Sequence, residues 1–445
     1  MDHRSALIHC RKLTQIPFVI LAVLALAFSA SIQAIPQNPQ PGTARLDAVQ
    51  VTGSTRFTSD QIASAIGLHT GQTVRRETFQ DAADKLAELG LFQDIQYHFS
   101  TVAAGVKVTY QVADAPLLAV TFDNFPWLSD DELSAGLKES GILFDGTAPA
   151  KGTILAAISQ SLTRLLDSRG IHGRVTHQVV TLPIKDQTVL QFRVDDADLT
   201  LQAVEFSDAL ANKDRRVQER VADLVGKPYS RDAIELFEFE QVRPIYLQHS
   251  YLRVNFPPPR ARLAADPSKV LSGPVIVSAT INTGPPYQWG GVQWRGNVSI
   301  TSQNLDGLVD LKPGDPADGN KIEATWEHAR TAYSRAGFLD ATIDPVPQFD
   351  DKLGRVIYTV NVSEGPQYHM GHLVLTGLSV EGERRIRTYF PIAIGTIFDQ
   401  GTYELFLSSG IKTAFAGLPV HYSKTGHFLQ EDKDTAAVDV LLDFQ

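Results

Sequence analysis

Glycines at two positions of a repeating pattern recur at nearly constant intervals, and this spacing constrains the fold more than any other feature. One series, Gly71, Gly146, Gly226, Gly314 and Gly395, is separated by 75, 80, 88 and 81 residues. The other, Gly90, Gly170, Ser250, Gly337 and Gly417, is separated by 80, 80, 87 and 80, with serine as the one departure. Glycine punctuates helices because it enters the left-handed backbone region without steric cost. Two series running in step mark tandem copies of one unit.

Between the anchors the chain keeps one order: a short strand, two helical stretches parted by a glycine turn, then two alternating strands. In the first copy Ala48 to Val51 opens, and Ile62, Ala65 and Ile66 line a short helix. Phe79, Ala82, Ala83, Leu86 and Leu89 then recur at helical spacing. Ile95, Tyr97 and Phe99 alternate, as do Val106, Val108, Tyr110 and Val112, which predicts a closing hairpin around Gly105. The last junction is the clearest: Val356, Tyr358, Val360 and Val362 alternate up to Glu364-Gly365-Pro366, and Leu373 to Leu375 opens the next copy. The boundaries fall at 46–114, 117–195, 199–284, 287–365 and 368–445. Each copy reads β-α-α-β-β, an α+β unit in which a three-stranded mixed sheet buries the apolar stripes of two helices on one face. A second helix is expected from Arg231 to about Gln248 in the third copy, followed by Tyr251 to Phe256 and Val275 to Ile281. The proline-rich residues 257–274 between these strands read as a long hairpin loop.

The first 34 residues differ. Arg4, Arg11 and Lys12 precede an apolar run from Ile16 to Phe28 and small residues up to Ala34, the layout of a secretory signal peptide. The alternative, a retained inner-membrane anchor, is disfavoured because the run is short against the roughly 20 apolar residues that a span needs. Residues 35–45, with three prolines, read as an extended linker. Cys10 is the only cysteine and would leave with the leader, so the mature chain is expected to carry no disulfide or thiolate ligand. Loss of residues 1–34 removes three basic groups and one acidic group from a net charge of −10, leaving −12. A chain this acidic offers no basic stripe for nucleic acid and no polybasic membrane tether.

The order strand-helix-helix-strand-strand, with LDAVQVTGSTRFTSDQI in the first copy, YSRAGFLDA in the fourth and VNVSEGPQYHMGHLVLTG across the last junction, resembles tandem POTRA (polypeptide-transport-associated) domains. These form the periplasmic arm of the BamA-like outer-membrane β-barrel assembly family. The match runs from 46 to 444, clearest in copies one, four and five. Family members continue into a membrane barrel, whereas this sequence stops one residue after Phe444, so the expectation is an elongated array of five POTRA-like domains without the barrel. The resemblance implies a periplasmic protein at the outer membrane of a Gram-negative-type envelope. It would bind outer-membrane barrel proteins or their precursors, and periplasmic or lipoprotein accessory factors, reaching the membrane through partners rather than by its own span. The alternative family member is an inner-membrane-anchored POTRA protein of the division and envelope type.

An edge strand with free backbone groups is a template for another strand. The candidate edges are Ile95 to Phe99, Val175 to Val180, Tyr251 to Phe256, Phe338 to Ile343 and Val420 to Tyr422. Their candidate partner-binding residues are Ile95, Tyr97, Phe99, Val175, His177, Val179, Tyr251, Arg253, Phe338, Ala341, Val420 and Tyr422. An ordinary edge guarded by charge and twist is the competing reading for each. His369-Met370-Gly371-His372 lacks the spacing and the glutamate of a zinc hydrolase, and Asp315 to Gly319 lacks the closing glutamate of a calcium loop. No phosphate loop, nucleophile elbow or HExxH occurs, so the sequence points away from an enzyme and implies no cofactor.

Overall fold

The computed structural model describes residues 33–34, 42–182, 184, 186–264, 271–417 and 424–445. Most of the expected leader and linker lies outside these residues. Five small mixed sheets with helices between their strands make an α+β fold. The described residues form two compact units, one of those up to 121, from 130 to 181 and from 188 to 195, the other of those from 122 to 129, from 182 to 187 and from 196 on.

In the first unit, β1 (Gln33–Ala34), β2 (Ala44–Thr52), β3 (Thr73–Val74), β4 (Phe92–Val102) and β5 (Gly105–Asp114) form a sheet of order β1-β4-β5-β2-β3. The helices Ser59–Ala65 and Arg76–Leu89 lie between its opening strand and its hairpin. Thr58 and Gln61 form a capping box at the first, and Phe79, Ala82, Ala83 and Leu86 of the second are buried. The second sheet comprises β6 (Leu118–Phe122), β7 (Thr147–Ala148), β8 (Val175–Leu182) and β9 (Gln187–Val194), in the order β7-β6-β9-β8. The two-residue strands β3 and β7 add to the expected three because each glycine turn brings its backbone beside the opening strand: Gly71 N–H donates to the Leu46 carbonyl at 2.7 Å, and Val120 N–H to the Gly146 carbonyl at 2.9 Å.

The second unit holds the three-stranded sheets β10 (Asp198–Phe206), β11 (Arg260–Leu263) and β12 (Ser272–Ala279); β13 (Gln288–Arg295), β14 (Thr342–Asp350) and β15 (Arg355–Ser363); and β16 (His369–Thr376), β17 (Thr425–Asp432) and β18 (Ala437–Phe444). In each, the closing strand is central, parallel to the opening strand and antiparallel to the hairpin partner. The opening strands share a bulge at one repeat position, between Leu46 and Ala48, Leu201 and Ala203, Trp289 and Val292, and Met370 and Leu373.

Ser250 holds φ +68°, the conformation taken at Gly90, Gly170, Gly337 and Gly417. Left-handed backbone costs a non-glycine residue about 1–2 kcal/mol, partly offset by glycine's greater freedom when unfolded. Ser250→Gly is therefore expected to stabilise the third sheet by about 0.5–1 kcal/mol in denaturant unfolding. Loss of stability on this substitution would show that the buried serine side chain matters more than its backbone.

One expectation is corrected here. Residues 251–256 are not a strand. The hairpin partner is β11, inside the stretch read as a loop: Arg260 to Leu263 alternates and packs Ala261 and Leu263 on the core, but four residues among prolines are too short a run to stand out. The second helix of this copy spans the expected residues as one helical run that contains a π-turn. It runs Arg231–Phe237, passes through a π-turn at Glu238–Val242 and resumes as Arg243–Gln248.

Candidate functional site

The chain's repeated candidate site is the open sheet edge, and the five edges differ. On β4, Ile95, Tyr97 and Phe99 face the helices and are buried. The Phe99 ring lies 5.3 Å from Phe79, and the Tyr97 hydroxyl donates to Gln80 Oε1 at 3.1 Å. Burial pushes the Tyr97 phenol up. Of these three residues only the backbone remains to contact a partner, and at Gln96 and Tyr97 the strand pairs in parallel with β1, whose two residues belong to the expected leader. On β8, Val175 is buried and Val179 is half exposed. His177 bonds Ser159 Oγ through Nδ1 at 3.2 Å and packs its ring 5.6 Å from Phe192.

The residues named on the third and fourth edges are held elsewhere. Tyr251 packs 6.1 Å from Tyr246 in its own core. Arg253 reaches the next sheet, donating to the Tyr287 hydroxyl at 3.2 Å and pairing with Asp351 at 3.3 Å, its guanidinium over the Phe349 ring. Leu252 beside it packs against the core of the fourth sheet. The same arrangement follows one copy later. Phe338 is buried in the fourth core, Leu339 enters the core of the fifth, and Asp340 accepts from the Tyr368 hydroxyl at 2.9 Å and pairs with Lys433 at 3.1 Å. Phe338 and Ala341 thus precede the edge strand β14, because the first residues after the helix stop plug a joint between sheets. Val420 and Tyr422 lie outside the described residues, and the fifth edge strand is β17.

Sequence reasoning missed the clasp that ties the opening loop to the closing strand in the first and fourth copies. Asp114 accepts from Ser54 Oγ at 2.7 Å and from Thr55 N–H and Oγ1 at 2.9 Å. Glu364 accepts from Val298 N–H at 2.7 Å, Ser299 N–H at 2.8 Å, Ser299 Oγ at 2.7 Å and the Tyr333 hydroxyl at 3.1 Å. Burial alone would raise both carboxyls, but the bonds donated to them outweigh it and hold both below their ordinary range. The signal was an acidic residue at the same place in two copies, just after the last alternating strand.

His372 bonds Asp439 Oδ1 through both its N–H, at 2.6 Å, and Nδ1, at 3.1 Å. Asp318 caps the helix Gly319–Arg335. Among the described residues no three His, Cys, Asp or Glu side chains converge as metal ligands, and no helix is long and apolar enough to cross a membrane.

The family model described as POTRA, surface antigen variable number repeat, matches residues 44–114 and 287–365, the first and fourth sheets. A putative outer membrane protein assembly factor of Treponema pallidum (strain Nichols) is 23% identical over 209 residues, 44% of this chain and 23% of the relative. The match thus spans about a quarter of that protein's length. Among solved structures, POTRA domains 3–5 of Haemophilus influenzae BamA match with 19% identity and a TM-score of 0.43, over 56% of this chain and 96% of that one. The N-terminal domain of Omp85 from Thermosynechococcus elongatus matches with 12% identity and a TM-score of 0.22, over 91% of this chain and 98% of that one. The chain carries POTRA domains and is related to outer membrane protein assembly factors.

Proposed function

We propose that the five sheets are five tandem POTRA-like domains, with the boundaries read from the sequence, forming a non-enzymatic periplasmic scaffold. It binds client or partner polypeptides by adding their strands to sheet edges, and so assists outer-membrane protein assembly or translocation. The observation that carries this reading is the repeated open sheet, whose outermost hairpin strand is bonded on one side only, among the described residues, in the second to fifth sheets. The partners are outer-membrane barrel proteins or precursors and periplasmic or lipoprotein accessory factors, which would hold the protein at the outer membrane. The acidic clasp residues and buried joint tyrosines serve the scaffold, fixing each sheet and its neighbour rather than acting on a substrate.

The test is in-cell photocrosslinking from exposed positions beside the edge strands, with the captured proteins identified. Capture of barrel precursors or outer-membrane lipoproteins is the expected result. Capture of inner-membrane proteins alone, with residues 1–34 still attached, would replace this reading with an anchored adaptor.

A further inference from the structure

The edge position recurs in every sheet, but its capacity to accept a strand does not. β4 carries only polar side chains, Gln96, His98 and Ser100, at alternate positions on the face turned from its helices, and β11 has only four residues. β14 carries Pro345 and Pro347. A proline cannot donate to β15, so both sit where the backbone points outward, and two of the donors that this edge would offer are missing. β8 is long and free of proline, but polar pairs tie its side chains to β9 and the residue after it: Thr176 donates to Asp195 at 2.7 Å and Gln178 to the buried Gln191 at 3.0 Å.

β17 has none of these guards. Lys424 and Gln445 exchange both backbone bonds, at 3.1 and 2.9 Å, so alternation turns the N–H and C=O groups of Thr425, His427, Leu429 and Glu431 away from β18. On its solvent face Phe428 stands opposite Leu441, which stands opposite Val374, making an apolar row across the whole sheet. Phe428 is 54% exposed and Val374 43%. The equivalent rows are Gln50–Thr109–His98, Glu205–Ser278–Arg260 and Gln293–Thr359–Val346. Among these the row is wholly apolar in the fifth sheet alone, so its side chains are not a requirement of the fold. Asp439 and Asp443 flank the row on either side of Leu441 on the same face of β18. Gly426, opposite Asp443, has no side chain to block the way from the edge to that carboxylate.

We propose that β17 is the chain's principal strand-acceptor edge and that its occupant is an extended polypeptide with a basic-x-apolar-x-basic face. The apolar residue packs against Phe428. The two long basic side chains reach across Gly426 and Gln430 toward Asp443 and Asp439. This assignment rests on the strand-edge reading of function and adds which edge is used and what chemistry it selects.

The probe is a nine-residue synthetic peptide with valine at its centre, lysine two residues to either side and threonine elsewhere. Its counterpart carries glutamate for lysine. Added to the purified protein, the lysine peptide is expected to slow amide exchange at Thr425, His427, Leu429 and Glu431, and the glutamate peptide to bind about tenfold or more weakly. His427→Pro places a proline where the fourth sheet has Pro345, and should weaken binding about tenfold by removing one outward donor. Phe428→Ser, at an exposed position that the fold does not need, should weaken it about fivefold even if the proline variant unfolds. Protection at another sheet's edge, binding untouched by either substitution, or equal binding of the two peptides would overturn this assignment and leave strand addition standing. Protection at no edge of any sheet would overturn both.

Discussion

Gly377→Ala is expected to destabilise the fifth sheet by about 2–5 kcal/mol while leaving the first in place. Gly377 follows the opening strand β16 with φ +78°, and a Cβ there would overlap the carbonyl oxygen of Phe444 at the end of the closing strand β18. Two penalties add: about 1–2 kcal/mol for a side chain in left-handed backbone, and about 1–3 kcal/mol for pushing two packed backbones apart. Gly395→Ala is the control. Its φ is +80°, yet nothing lies within 4 Å of the added carbon, so it should cost only the backbone term. Amide exchange in β16 and β18 should speed by a hundredfold or so in Gly377→Ala, and by about tenfold in Gly395→Ala. Equal losses would show that backbone conformation, and not the close approach of strands, requires this glycine. Because Leu339 sits in the same core, the first variant should also loosen the joint to the fourth sheet.

The same contact is part of why the fold was legible. Gly53 and Gly296 occupy the equivalent position in the first and fourth sheets, where a Cβ would overlap the carbonyls of Val112 and Val362. Close backbone approach fixes glycine in these three copies, whereas the second and third carry Leu128 and Asp208 at the same distance before the turn glycine. The turn series from Gly71 to Gly395 is periodic because each adopts left-handed backbone. The helix stops are legible for a related reason, and Ser250 kept its place in the series because its backbone adopts the glycine conformation despite its side chain. The third sheet was misplaced where that logic ends. Arg260 to Leu263 pairs with β12 and alternates over only four residues, while the prolines before it read as a loop.

The candidate site was less legible, because an edge is defined by where backbone groups point and strand patterns report where side chains go. Ile95, Tyr97 and Phe99 alternate because they are buried, and so mark the strand without marking what it offers. Phe338 and Leu339 have the aromatic and aliphatic character of a strand, yet they fill two cores on either side of a joint. Pro345 and Pro347 were visible, but their meaning depends on register, which only the pairing with Val360 and Tyr358 supplies. The row Val374–Leu441–Phe428 draws on three strands separated by up to 67 residues, and no local pattern links them.

Glu238→Gln is expected to stabilise the third sheet at pH 8 and to leave it nearly unchanged at pH 5. Glu238 opens the π-turn in the second helix and is 1% exposed, and its Oε1 has no hydrogen-bond partner among the described residues. Burial, assisted by the nearby Glu235 carboxylate, pushes its carboxyl up to about 8 from an ordinary 4.5. The sign follows from the two states. Below pH 4.5 the carboxyl is protonated folded or unfolded, and the fold bears no penalty. Between 4.5 and 8 the unfolded chain ionises while the folded one keeps its proton, so stability falls by on the order of 1 kcal/mol per pH unit. Above 8 both states are ionised and the loss is constant. Glutamine carries no such charge, so the gap between variant and parent should open with rising pH and close below pH 5. Denaturant unfolding of the third sheet at several pH values measures it directly. A gap independent of pH would mean that Glu238 is ionised and compensated in place. A gap that opens would identify the π-turn as the position where this copy of the repeat gives up stability as the medium becomes alkaline.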